Sequence, residues 1–136
     1  MGANTISQAI YNKVRGSTNI TSSLGSANQV HYLIAPQATT LPYVVVKLIS
    51  DPHEPMYYDK TLAGQARIQV SLYHRDKYDG ANLSRTIWKE LQHFSGEAST
   101  IDIEWIRVQN ERATILEDID SFHFATDFLV EYEDPS

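Results

Sequence analysis

Apolar residues recur along this chain with two different periods, and the periods divide it into elements. Ile6, Ile10 and Val14 stand at i, i+4 and i+8 with Ala9 beside them, which is one stripe of an amphipathic helix. Gly16 and Ser17 follow and stop it. The Ser/Thr/Asn-rich stretch after them carries only Ile20 and Leu24 and is too polar to assign. Val30 to Ile34 reads as a short strand closed by Ala35-Pro36. Pro42 cannot donate a ladder hydrogen bond and belongs at the start of the β-branched run Tyr43–Ser50. Both faces of residues 43–49 are largely apolar, which predicts a central strand covered on both sides.

Residues 51–64 are rich in turn formers, with Asp51-Pro52, Glu54-Pro55 and Gly64. Ala66, Ile68, Val70 and Leu72 then alternate with Arg67, Gln69, Ser71 and Tyr73, a half-buried strand of period two. From Asp76 to Phe94 the period lengthens again: Leu83, Ile87, Leu91 and Phe94 form a helical stripe widened by Trp88. Asp76 or Asp79 caps its start, and Gly96 lies just past its end. Ile101, Ile103 and Trp105 alternate with Asp102 and Glu104 and open another strand. The charged segment Glu111–Asp120 reads as a turn or loop, and Phe122, Phe124, Phe128 and Val130 share one face of the last strand. These elements predict a single α+β domain over residues 1–136. Its expected form is a mostly antiparallel sheet of four to five strands, with two helices packed on one face and a projecting hairpin or loop at 51–64.

Composition narrows the function more than it identifies it. The 136 residues include no cysteine, so disulfides and thiolate metal sites are excluded. No apolar run approaches the roughly 20 residues of a membrane helix, and Met1-Gly2-Ala3-Asn4 lacks the basic and apolar regions of a signal peptide. The expectation is a protein that stays in the cytoplasm where it is made, with no membrane partner. Net charge is −6 and unevenly spread: residues 1–50 hold Lys13, Arg15 and Lys47 and no acid, while no base follows Arg112. Tight nucleic-acid binding needs cations against phosphate, so this asymmetry argues against it. It suits head-to-tail contact between copies, or an acidic surface that DNA passes without adhering.

Signatures of catalysis are missing from the linear sequence. It has no Gly-x-Ser-x-Gly elbow, no phosphate-cradling glycine loop and no His-Glu-x-x-His. The five histidines, His31, His53, His74, His93 and His123, are far apart, and Asp118-Ile119-Asp120 lacks the glycine and spaced acids of a calcium loop. The reading is therefore of a non-enzyme without cofactor or metal. Met56-Tyr57-Tyr58 stands out in a polar loop. Aromatics there either anchor a contact or fold back on their own sheet.

The order of these segments carries a resemblance. Ala35-Pro36-Gln37 precedes Leu41-Pro42-Tyr43-Val44-Val45; Arg67 to Tyr73 follows a polar loop; a helix bearing Leu83, Ile87, Trp88 and Leu91 comes next; and Asp127-Phe128-Leu129-Val130-Glu131-Tyr132-Glu133 ends the pattern. Over residues 6–133 this resembles the tail-completion, or tail-to-head joining, proteins of long-tailed bacteriophages. The resemblance implies a subunit of a ring of six copies in the tail or neck of a virion, assembled in the host cytoplasm. The ring caps the tail tube, ends its growth and meets the head connector, while DNA passes through its lumen. Its partners are then further copies of itself, the tail tube protein and a head-completion protein. The expected contacts are residues 51–64, with Met56, Tyr57, Tyr58 and Lys60, and residues 111–120, with Glu117, Asp118 and Asp120. Competing readings are another phage neck protein, a secretion-system tube accessory, and a small dimeric α+β enzyme or ligand-binding domain.

Overall fold

The computed structural model describes residues 6–36, 39–50, 53–55, 62–98, 101–116 and 121–134. Three α-helices, α1 (Ile6–Arg15), α2 (Thr18–Leu24) and α3 (Lys77–Leu91), accompany seven strands among these residues. The strands are β1 (Val30–Tyr32), β2 (Tyr43–Ser50), β3 (His53–Pro55), β4 (Leu62–His74), β5 (Gly96–Ala98), β6 (Ile101–Leu116) and β7 (Ser121–Asp134). They form one sheet in the order β1-β2-β4-β7-β6-β5, with β3 also paired to β4. Its spine is the antiparallel pair β4–β7, in register from Leu62 opposite Asp134 to His74 opposite Phe122.

Period-two alternation on the spine sorts the side chains. Val44, Val46, Ile68, Val70, Leu72, Phe128, Val130 and Ile106 form one apolar core with Ile6, Ile10 and Val14 of α1 and Leu83, Ile87 and Leu91 of α3. The helical stripe and the strand alternation are thus halves of one buried contact. Asp76 caps α3, its carboxylate accepting from the backbone N–H groups of Tyr78 and Asp79, both at 2.9 Å. Those bonds hold the Asp76 carboxyl below its ordinary pKa, the Asp79 contact contributing most. Gly80 allows α3 to lie close to the sheet: a Cβ there would stand 2.5 Å from the Phe124 ring and 3.0 Å from the His74 Cβ.

The architecture corrects the expected sheet of four to five strands with two helices on one face. Seven strands are present among the described residues, β1 runs parallel to β2, and α2 is a third helix. The sheet curls into a half-barrel, and register shifts in β2 and β6 bend its strands. The missed helix is short and poor in helix formers. It is held by tertiary contact: Ile20 and Leu24 are buried, and Glu90 accepts from Ser17 Oγ (2.9 Å) and Asn19 Nδ2 (2.7 Å). Gly25, at φ 90°, ends it.

Other boundaries move for similar reasons. Residues 111–116, expected as loop, continue β6, since their backbone pairs with β7 while the side chains of residues 111–115 stay exposed. Gly96 begins β5 instead of following α3 directly, and His93, at φ 65°, makes the left-handed turn after that helix. Only Val44, Val45 and Val46 of β2 are buried, so its second half is not covered on both sides. β1 stops at Tyr32, where Leu33 turns to φ 71°. Of the expected projecting hairpin or loop at 51–64, His53–Pro55 pairs antiparallel with Leu62–Gly64 as β3, and 51–52 and 56–61 fall outside the described residues.

Phe128 is fully buried where strands and helices meet. Phe128→Ala is expected to lower unfolding free energy by about 3–5 kcal/mol, read by urea denaturation. Gly80→Val should cost about 1–3 kcal/mol through overpacking against Phe124 and His74.

Candidate functional site

The face of the sheet turned away from the helices is not an ordinary solvent face. Register brings Tyr43, Tyr73 and His123 into one row across β2, β4 and β7. Tyr43 and Tyr73 stack with centroids 4.8 Å apart, and Tyr73 and His123 stack at 4.4 Å with planes 2° apart. His31 of β1 meets Tyr43 edge-on at 6.1 Å. Two residues along, the same face carries Ser71, and beyond it Lys47, Gln69 and Asp127. Ser71 Oγ donates to Gln69 Oε1 (3.3 Å), Gln69 Nε2 donates to Asp127 Oδ1 (3.1 Å), and Arg112 Nη1 lies 3.6 Å from Asp127 Oδ2. Asp127 is only 6% exposed although no helix covers it. The curl of the sheet shelters this network.

Shelter sets the charge state of the row. Burial lowers the His31 pKa. It also lowers that of His123, with the nearby charges of Arg112 and Lys47 adding to it. Burial raises the phenols of Tyr43 and Tyr73, the latter further through Tyr43. At neutral pH the row is therefore uncharged, with Lys47 and Arg112 as the cations beside it. His31 Nε2, His123 Nε2 and Ser121 Oγ are buried without a hydrogen-bond partner among the described residues.

Large exposed apolar side chains mark the rim. Leu33 and Ile34, the latter 78% exposed, follow β1, and Leu48 and Ile49 lie on the second half of β2. Leu33, Ile34, Ala35, Tyr43, Val45, Lys47, Ser71 and Tyr73 line a shallow groove of about 230 Å³ there. Across the molecule, Ile115 is 64% exposed near the end of β6.

The contact residues expected from the sequence, Met56, Tyr57, Tyr58, Lys60, Glu117, Asp118 and Asp120, all lie outside the described residues. Their flanks are informative. Leu62 pairs with Asp134 and Leu116 with Ser121, so the two segments leave the sheet at opposite ends of β7. At about 3.3 Å per residue, those ends are about 40 Å apart. No group of three or more metal-ligating side chains occurs among the described residues. His74 is engaged locally, its Nδ1 accepting from the Asp76 N–H at 3.0 Å. The aromatic row and the Ser71–Gln69–Asp127–Arg112 chain were not anticipated. Their members are visible as polar and aromatic positions alternating with core positions, but only the register joins them.

No family model matches this chain, and no curated protein matches it. Among solved structures, a chain in the virion of a native gene transfer agent (GTA) particle is similar, with a TM-score of 0.71, 13% identity and 94% of each chain covered. At that identity the two chains share a fold.

The lowered histidines fix the sign of one pH effect. A group whose folded pKa lies below its unfolded value stabilises fully above the unfolded pKa, and this contribution is lost as pH falls. For His31 and His123 that unfolded value is near 6.5. The melting temperature should therefore fall between pH 7.5 and 5.5, and His123→Gln should flatten the fall. Asp127→Ala leaves the Gln69 amide unpaired and should cost about 1–3 kcal/mol in chemical denaturation.

Proposed function

We propose that this chain is a structural subunit of a virion, and that it forms the ring that caps a phage tail tube, ends its polymerisation and joins the tail to the head connector. The observation that carries this reading is the fold, common over 94% of both chains to this protein and a component of a phage-like GTA virion. The segment order supports the finer assignment to a tail terminator. Among the described residues the large exposed aliphatic side chains lie at opposite rims, Leu33, Ile34, Leu48 and Ile49 at one and Ile115 at the other, with Tyr78 exposed on α3. Two unlike patches are what a closed head-to-tail ring requires. The role needs no catalytic group: the chain acts by stopping a polymer and presenting a new surface. An acidic lumen would repel DNA and let it through.

Negative-stain imaging of purified protein mixed with tail tubes, and separately with heads, tests the assignment. The expected result is a ring at one end of each tube and tubes that no longer lengthen. Binding to heads alone would make the chain a head-side neck protein, and binding to neither would overturn the reading. Replacing Glu117, Asp118 and Asp120 together by their amides should weaken ring formation, measured as the share of protein in rings. Unchanged assembly would remove the charge argument.

A further inference from the structure

Four cations that are scattered in sequence meet on the sheltered side of the sheet. Register sets Lys47, Gln69, Asp127 and Asn110 in one row across β2, β4, β7 and β6. Two residues along β7 in one direction, Ser50, Arg67, Leu129 and Arg107 form the next row. Two residues in the other direction, Val45, Ser71, Ala125 and Arg112 form a third. The band is about 13 Å long and about 14 Å wide, from the spacing of residues and strands. Lys47, Arg67 and Arg107 are exposed, and Arg112 is half exposed. Leu129 is nevertheless buried between the two arginines of its row. Long cationic side chains cover apolar neighbours with their stems and keep their charged heads in water.

Asp127 is the one carboxylate within this band, and Arg112 already meets it at 3.6 Å. No carboxylate pairs with Lys47, Arg67 or Arg107 among the described residues. Arg107 rests over the Trp105 ring, 4.8 Å from its centroid, which steadies the guanidinium without neutralising it. The band is also closed at both ends. Past Arg67 the same side carries Gln65, whose Nε2 donates to Glu131 Oε1 (2.8 Å), and then Glu133 opposite Asp102. Past Arg112 stands the neutral row of Tyr43, Tyr73 and His123.

We propose that this cationic hollow is a docking surface for an acidic segment of a partner protein, whose carboxylates meet Lys47, Arg67 and Arg107. Charge complementarity selects the partner: a chain of net charge −6 concentrates unmatched cations in one sheltered place, and the guanidinium fork fits carboxylate oxygens. Size and borders favour a short acidic segment over a nucleic acid. A strand of phosphates crossing the band would run onto Glu131, Glu133 and Asp102, which repel it. Lys47 also lines the groove that holds the exposed Leu33 and Ile34, so apolar residues beside the carboxylates have a surface to meet. The surface is independent of the ring reading, and its test needs neither tubes nor rings.

A fluorescein-labelled peptide of glutamate alternating with alanine, and its glutamine counterpart, are each titrated with the full chain at low salt and followed by fluorescence anisotropy. The expected result is binding of the glutamate peptide alone, weakening as salt is raised. The Arg67→Gln/Arg107→Gln double variant should bind it about tenfold more weakly. Lys77→Gln/Lys89→Gln removes the same charge from exposed positions of α3, on the other side of the sheet, and should leave binding unchanged. Circular dichroism verifies the fold of both variants. Equal weakening in the two double variants would mean attraction to overall charge and overturn the proposal, as would failure of the glutamate peptide to bind the natural chain. A thymidine oligonucleotide of equal charge that binds more tightly than the peptide, and loses this in Arg67→Gln/Arg107→Gln, would assign the hollow to nucleic acid and overturn the protein partner.

Discussion

The antiparallel pairing of β4 with β7 sets the position of nearly every other element. It runs unbroken from Leu62 to His74, and each strand receives a further partner on its outer side: β2 and β3 against β4, β6 against β7. Alternation along this pair puts Ile68, Val70, Leu72, Phe128 and Val130 on one side, and α1 and α3 cover them. Gly80 sets how closely α3 approaches. The same alternation places Tyr73, Ser71, Gln69, His123 and Asp127 on the other side, where register turns separate strands into rows.

Two kinds of surface follow from that pair. The core face is closed by helices, and its energetics are those of apolar burial. The opposite face is closed by curvature, so its polar groups must find partners laterally, which the Ser71–Gln69–Asp127–Arg112 chain provides. The molecule combines a sealed core with a neutral aromatic row, on a fold shared with a chain in a GTA virion.

Much of this was legible from residue order. The stripe of α1, that of α3 as far as Leu91, the Asp76 cap and the alternation of β4 and β7 each follow from local rules; Phe94, expected on the helical stripe, falls beyond the end of α3. What was not legible depends on partners distant in sequence. Helix α2 depends on Glu90 reaching Ser17 and Asn19, and the end of β6 depends on β7 supplying backbone bonds to residues whose side chains stay in water. The parallel β1–β2 pair leaves no mark in either strand alone. The aromatic row failed to appear for the same reason: Tyr43, Tyr73 and His123 are far apart until register aligns them. The expected contact residues lie outside the described residues, and their flanks, Leu62 and Leu116, pair with opposite ends of β7.

The central proposal is that this chain works through surfaces that join it to copies of itself and to a virion. The particle mass in solution, measured by sedimentation over a wide range of protein concentration with and without tail tubes, addresses it most directly. The account predicts one closed multimer of fixed size that grows at the expense of monomer as concentration rises or tubes are added. Monomer of 15.4 kDa under every condition, with no protein travelling with tubes, would contradict it.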